Sequence, residues 1–262
     1  MKYPDDFINK IIQGDCLDVM KEIPDNSIDL VITSPPYDNL RDYKGYSFDF
    51  EGIANELYRI IKQGGVIVWV VGDATINGSE TGTSFKQALY FKEIGFNLHD
   101  TMIWERATIP QSGHRYEPMF EYMFIISKGK PKTFNPIMVK KLFTETRKVK
   151  KSHRNKKGEF GLLKVPKTKM KIDGNIWKIS QGGGISTKDK IAHEHPAIFP
   201  DKLAERHIKS WSNEGDLILD PMCGSGTTCK MAKLLKRNYI GIEISKDYCE
   251  IARKRLGQEI LF

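Results

Sequence analysis

Leu217-Ile218-Leu219-Asp220-Pro221-Met222-Cys223-Gly224-Ser225-Gly226-Thr227-Thr228 reads as a short buried strand, a glycine-rich loop and the first turn of a helix that runs from Thr227 to Leu235. Glycines at such a turn let the backbone approach a ligand closely, and the helix start aims its N–H groups at it. A second strand, Tyr239 to Ile242, ends in Glu243, 19 residues past Gly224. That is the distance at which a nucleotide-binding βαβ unit holds the carboxylate that grips a ribose. Gly-x-Gly alone is a weak signal. Its flanking strand and helix, and the carboxylate at the next strand's end, make it a strong one. The third glycine of the dinucleotide fingerprint is missing and the motif lies late in the chain, which argues against a plain NAD domain.

Upstream, Pro200-Asp201 opens a helix whose Leu203, Ala204, Ile208 and Trp211 share a face, and Asn213-Glu214-Gly215-Asp216 turns it into the glycine-loop strand. At the other end of the chain, Lys10 to Gln13 is a strand closed by Gly14-Asp15, and a helical pattern with Leu17, Met20 and Ile23 follows. A turn at Pro24-Asp25-Asn26 leads to the apolar run Ile28 to Ile32 and then to Thr33-Ser34-Pro35-Pro36-Tyr37. This spacing predicts βαβ units and a parallel sheet.

The proline loop at the end of Ile28 to Ile32 restricts the chemistry available there. Each proline lacks an N–H, holds φ near about −65° and drives the preceding residue towards extended geometry. A loop of this kind offers carbonyl acceptors and few donors. With the Ser34 hydroxyl and the Tyr37 ring beside it, it suits a flat ring whose amino group must donate, as a nucleobase does. The competing reading is an ordinary proline turn with a tyrosine packed over it.

Between these ends, Ile53, Leu57, Ile60 and Ile61 keep helical period, Gly64-Gly65 stops the helix, and Val66 to Val71 is a buried strand with Gly72-Asp73 at its end. Another helix spans Phe85 to Lys92. Leu98 to Trp104 and Glu121 to Ile126 are then expected to pair as an antiparallel hairpin at the sheet edge. From Lys128 onward periodicity fades and charge accumulates. Lys128 to Lys178 holds 15 Lys and 2 Arg against Glu145, Glu159 and Asp173, a net of +14 in a chain whose total is +8. A basic block in an otherwise mildly acidic protein points to a polyanionic partner, and the competing reading is a solvated loop. Trp177 and Phe160 are its expected apolar anchors.

Composition sets outer bounds. A chain of 262 residues with 40% hydrophobic and 28% charged residues is expected to be an ordinary globular one, without an apolar run long enough for a membrane helix, and its start, Met1-Lys2-Tyr3-Pro4-Asp5-Asp6, is not expected to act as a signal peptide. Cys16, Cys223, Cys229 and Cys249 form no Cys-x-x-Cys pair, so neither a zinc site nor a disulfide framework is expected, and a reducing cytoplasm is the expected location.

Asp220 to Thr227 together with Thr33 to Tyr37 resembles the S-adenosylmethionine-dependent amino-DNA methyltransferases, which modify cytosine N4 or adenine N6. The catalytic Ser/Asp-Pro-Pro-Tyr loop first, a recognition lobe next and the cofactor loop last is that family's β order of motifs. His195-Pro196-Ala197-Ile198-Phe199-Pro200 also matches the family segment that closes over the methionine end of the cofactor. The resemblance implies a doubly wound, mostly parallel, Rossmann-like α/β sheet with an antiparallel edge hairpin and circularly permuted motif order. It divides the chain into a catalytic half at 1–127, a target-recognition lobe at 128–192 and a cofactor half at 193–262.

The resemblance also assigns roles. Ser34, Pro35, Pro36 and Tyr37 become catalytic; Asp15, Thr33, His195, Pro196, Phe199, Pro200, Asp220, Pro221, Met222, Gly224, Gly226, Thr227 and Glu243 become cofactor-binding. Asp15, at the end of a strand supplied by the chain's beginning, is expected to reach the adenine end of S-adenosylmethionine. Double-stranded DNA is the implied partner, met by the basic lobe at Lys140, Lys141, Lys150 and Lys151. No metal is expected; a monomer and a homodimer both stay open, and the resemblance leaves room for a cognate restriction endonuclease as a further partner without implying one. In the implied mechanism the Ser34 hydroxyl and Pro35 carbonyl accept the amino N–H bonds of a flipped base, and Tyr37 stacks on it. Cytosine C5 chemistry needs a Pro-Cys nucleophile loop, and the sequence has none. Family members with Ser before Pro-Pro-Tyr are mostly cytosine-N4 enzymes and those with Asp usually adenine-N6 enzymes, which favours cytosine. Rival readings are an adenine enzyme, a methyltransferase of RNA or a protein amide, and a nucleic-acid-binding protein without catalysis.

Overall fold

The computed structural model describes residues 1–36, 48–107, 115–141, 152–154, 157–162, 168–182, 184–195 and 198–258, with the backbone alone at 152–154 and 160–162. Two compact units emerge, Met1–Asn135 with Asn175–Phe262, and Pro136–Gly174. The first contains β1 (Lys10–Gln13), α1 (Cys16–Lys21), β2 (Ile28–Thr33), α2 (Phe50–Ile60), β3 (Ile61–Val71), a two-residue hairpin β4 (Thr75–Ile76) and β5 (Ser79–Glu80), α3 (Thr83–Glu93), β6 (Asn97–Glu105) and β7 (Phe120–Ser127). The second holds β8 (Met138–Lys140), β9 (Ser152–Arg154), β10 (Phe160–Leu162) and β11 (Met170–Ile172). The chain then returns to the first with β12 (Ile176–Lys178), a 3₁₀ turn (Lys190–Glu194), α4 (Asp201–Trp211), β13 (Leu217–Asp220), α5 (Thr227–Leu234), β14 (Asn238–Glu243) and α6 (Lys246–Gly257).

The central sheet runs β1-β14-β13-β2-β3-β7-β6-β12, parallel from β1 to β3 and antiparallel on both sides of β7. Its middle strands are buried on both faces: Ile28, Leu30, Val31 and Ile32 of β2 are all fully enclosed. A parallel strand needs this, because helices cover both sides. One layer of core gathers Val19, Met20, Ile53, Leu57 and Phe91 from α1, α2 and α3 against Val31, Ile67, Leu219 and Ile242. Leu203 and Ile208 of α4 and Ala232 of α5 are buried but stand outside that cluster, so the sheet is doubly wound.

Three elements differ from expectation. Gly64-Gly65 does not separate helix from strand; β3 already begins at Ile61, and the glycines make a bulge in it. The pairing with β2 jumps from Ile28↔Ile61 to Leu30↔Val66, and the Gly64 N–H, at φ +81°, donates to the Lys128 carbonyl at 2.7 Å. The β6–β7 hairpin forms, but β12 adds outside it in parallel with β6, so the edge of the sheet is β12. Trp177 of β12 is accordingly buried in the larger unit, 4.6 Å from the ring of His207 with the Arg206 guanidinium over it. The segment expected as one lobe at 128–192 is therefore shared: Pro136–Gly174 is compact on its own, and the rest lies in the larger unit. Within the smaller unit β8 pairs with β11 and β9 with β10, both antiparallel. Of the expected anchor Phe160 only the backbone, in β10, is described.

Candidate active site

The carboxyl ends of β1, β14, β13 and β2 lie side by side, and each carries a residue singled out above. Gln13 is level with Glu243, Asp220 with Gly241, and Leu219 with Val31. Adjacent strands lie about 4.8 Å apart, so Asp15, Glu243, Asp220 and Ser34 line one edge within roughly 15 Å. From β13 the chain winds to β14 on one side; from β2 it winds to β3 on the other. The crevice between β13 and β2 is thus the topological switch point, where ligands of open α/β sheets bind.

Asp220 ends β13 and is 6% exposed. Burial pushes its carboxyl up to about 6, against the opposing pull of the Thr33 and Thr228 hydroxyls and the Met222 N–H, with the negative charge of Glu243 adding to the rise. Its Oδ1 accepts the Met222 N–H at 3.2 Å, which shapes the start of the loop, and Pro221 is buried beside it. Glu243 is also raised by burial, and its two oxygens accept the Gly224 N–H at 2.9 Å and the Ser245 N–H at 2.8 Å. The groups that offset burial at these two carboxyls are hydroxyls and backbone N–H groups, not lysines or arginines.

Gly224 has φ +50°, and a Cβ there would lie 2.9 Å from the His195 imidazole Nε2. His195, delivered by the 3₁₀ turn, therefore sits directly on the glycine loop, with its ring 4.3 Å from Tyr248 of α6. Gly226, at φ +78°, opens α5. Thr227 is buried, and its hydroxyl accepts from Arg255 behind the loop at 3.0 Å. Asp15 caps α1 by accepting the Leu17 N–H at 2.8 Å, and the Gly14 N–H before it donates to the Glu243 carbonyl at 3.0 Å. Cys16 beside it is pushed up to about 12 by burial and by Asp15, so it stays a thiol.

Thr33 is buried, Ser34 half-buried, Pro35 buried and Pro36 half-buried. Phe199 turns its ring to Trp104 of β6 at 6.4 Å, and Pro200 precedes α4 as its cap. Met222 packs against the core. Lys140 ends β8 with an exposed side chain, and the Lys141 N–H donates to the Lys169 carbonyl at 3.0 Å. Tyr37, Pro196, Lys150 and Lys151 lie outside the described residues. Among the described residues no three His, Cys, Asp or Glu side chains could hold a metal ion, and no helix is long and apolar enough to cross a membrane.

Sequence reasoning missed Tyr248, Asp189 and Arg255. Arg255 had a signal: it shares a buried helical face with Cys249, Ala252 and Leu256, where an arginine must have partners.

The donor set discriminates between nucleotides. Two buried carboxyls without a basic counterpart would repel a pyrophosphate; they suit a nucleoside carrying positive charge. The residues present thus fit S-adenosylmethionine, a cationic sulfonium with an amino group.

Comparisons with known proteins agree. The DNA methylase family of N6 and N4 enzymes matches residues 28–254. The orphan methyltransferase M.BamHII of Bacillus amyloliquefaciens is 57% identical over 252 residues, covering 92% of this chain and 94% of that protein. TTHA0409 of Thermus thermophilus, solved in complex with S-adenosyl-L-methionine, is 25% identical with a TM-score of 0.65, covering 94% of this chain and 92% of that one. The cytosine-N4-specific PvuII DNA methyltransferase shares the fold at 21% identity and a TM-score of 0.69, covering 98% and 91%. The chain belongs to the N6/N4 DNA methylase family and is a DNA methyltransferase that uses S-adenosylmethionine.

Proposed function

We propose that this enzyme methylates the exocyclic N4 of a cytosine flipped out of duplex DNA. The observation that carries the reading is the neighbourhood of Ser34-Pro35-Pro36 and Asp220, on the carboxyl ends of the paired strands β2 and β13. When bound, S-adenosylmethionine supplies a methyl group activated by its sulfonium centre. The protein's own task is to make a poor nucleophile attack it, because the lone pair of a cytosine amino group is delocalised into the ring. The Ser34 hydroxyl and the Pro35 carbonyl accept the two amino N–H bonds, localise the lone pair and stabilise the positive charge that grows on the nitrogen. Asp220 and Glu243 hold the cofactor, Asp15 faces its adenine end, and His195 closes the loop from above. Tyr37 stacks on the base.

Serine at position 34 supports cytosine over adenine through the family resemblance, in which members with serine before Pro-Pro-Tyr are mostly cytosine-N4 enzymes. The unit at 136–174, with exposed Lys140 on β8, is the target-recognition element and meets the phosphates. A reducing cytoplasm fits four free thiols.

Mass spectrometry of nucleosides from plasmid methylated by the enzyme tests the base. N4-methylcytosine is expected, and N6-methyladenine alone overturns the assignment. Ser34→Ala should lower kcat by about 10²–10³-fold with cofactor affinity intact, the scale on which losing one transition-state hydrogen bond acts.

A further inference from the structure

We propose that Arg255 and Asp189 are positioning residues for S-adenosylmethionine: as a buried latch they clamp the back of the glycine loop to the segment that sets His195 on its front. The proposal rests on the assignment of the glycine loop as the cofactor site. Arg255, on α6, has a fully buried side chain, and Asp189 is 3% exposed. The guanidinium divides its donors among three segments. Nε donates to Asp189 at 2.9 Å; Nη1 donates to the Ser225 carbonyl at 2.7 Å, the Ser225 hydroxyl at 2.9 Å and the Thr227 hydroxyl at 3.0 Å; Nη2 donates to Asp201 at 3.4 Å.

Each segment bears on the site. Ser225 and Thr227 flank Gly226, and Ala252, one turn before Arg255, closes on that glycine so tightly that a Cβ would meet it at 2.9 Å. Asp189 caps the 3₁₀ turn 190–194 by accepting the Ile191 N–H, and that turn delivers His195 to Gly224. Asp201 begins α4, and its N–H returns to the Ser186 carbonyl at 2.9 Å. Lys230 of α5 donates to Asp189 at 3.1 Å, and Gln258 donates to it at 3.4 Å.

Stability alone does not call for such a cluster, since a buried ion pair is often replaced by apolar residues without loss. Its planar fork is what apolar packing cannot supply. Five donors in fixed directions set the relative positions of three backbones, whereas a lysine offers three donors from one point. The latch keeps the loop and His195 at the spacing the cofactor needs.

Calorimetry with S-adenosylmethionine and with S-adenosylhomocysteine tests the proposal on Arg255→Lys and Asp189→Asn. Each variant should bind both ligands about tenfold or more weakly, raise KM for S-adenosylmethionine with kcat nearly retained at saturation, and leave duplex DNA affinity within about twofold. The double variant should be no worse than the weaker single one, because both break the same latch. Should Arg255→Lys not fold, Asp189→Asn, which removes charge without changing volume, decides alone. Ligand affinities within about twofold of the parent overturn the proposal, even if the melting temperature falls. Gly224→Val separates the latch from the site it serves: if it abolishes ligand binding while the latch variants keep it, the latch alone is wrong. If it too binds normally, the glycine-loop assignment fails and the latch with it.

Discussion

The front and the back of the glycine loop are both buried and both charged, yet their charges are arranged in opposite ways. On the front, Asp220 and Glu243 are raised by burial and hold only hydroxyls and backbone N–H groups. Behind it, burial raises Asp189 as well, but hydrogen bonds from Arg255 and Lys230 outweigh burial and hold its carboxyl below the usual range. The back is finished without a ligand; the front is finished only when a cation arrives. Buried charge that is compensated inside the chain belongs to the architecture, and buried charge left uncompensated marks the place where a ligand completes it.

The largest effect should come from breaking the back. Arg255→Met leaves Asp189 with Lys230, Gln258 and the Ile191 N–H, and strands the Ser225 and Thr227 oxygens. Removing one partner of a buried pair costs about 3–5 kcal/mol. Thermal and urea melts of the free protein should show it, and a loss under about 1 kcal/mol would mean that the network is ornamental.

On the front the same operation should have the opposite sign. Asp220→Asn removes a charge that burial disfavours by about 3 kcal/mol at neutral pH, the equivalent of its rise from the ordinary carboxylate value. The free protein should become more stable, by up to about that amount, while cofactor affinity falls at least tenfold. A variant that loses both stability and affinity would place Asp220 with the architecture, and the contrast between the two sides would collapse.

What could be read without a structure divides along a similar line. β2, β3, β13 and β14, the glycine loop and Glu243 were legible because each is a local pattern, and the strand order that joins β1 to β14 follows once the motif order is recognised. The Arg255–Asp189 pair spans 66 residues and leaves no local trace beyond a charge on an apolar face. β12 is three residues long, and only its pairing with β6 makes it a strand. The pairing of the Phe199 ring with Trp104 joins residues far apart in the chain, which no spacing in the sequence reveals. The bulge at Gly64-Gly65 has the same origin: a glycine pair can end a helix or kink a strand, and the Lys128 backbone decides which.

The smallest effect, and the sharpest test of sign, is the response to mild acid. Asp220 has a folded pKa of about 6, above its ordinary value of 3.8, so the folded state takes up a proton first and the free protein gains stability as pH falls from 7 to 5, by about 1 kcal/mol. His207 acts the other way. It is fully buried in α4 beside Arg206, with Nε2 3.2 Å from the Met123 sulfur, and burial and that arginine lower it to about 3. The unfolded chain then binds the proton near 6.5, and the same descent costs about 2 kcal/mol. The gain offsets only part of the cost, so these two groups together should leave the parent protein a net loss of about 0.5–1 kcal/mol between pH 7 and 5, and the variants should separate them. Asp220→Asn should lose stability more steeply than the parent over that interval, and His207→Phe less steeply. Saturating S-adenosylmethionine should silence the first difference, because a cation beside Asp220 keeps it ionised, and leave the second untouched. Parallel pH profiles for Asp220→Asn and the parent would show that this carboxyl is already ionised in the free protein, and the front of the loop would then need another source for its selectivity.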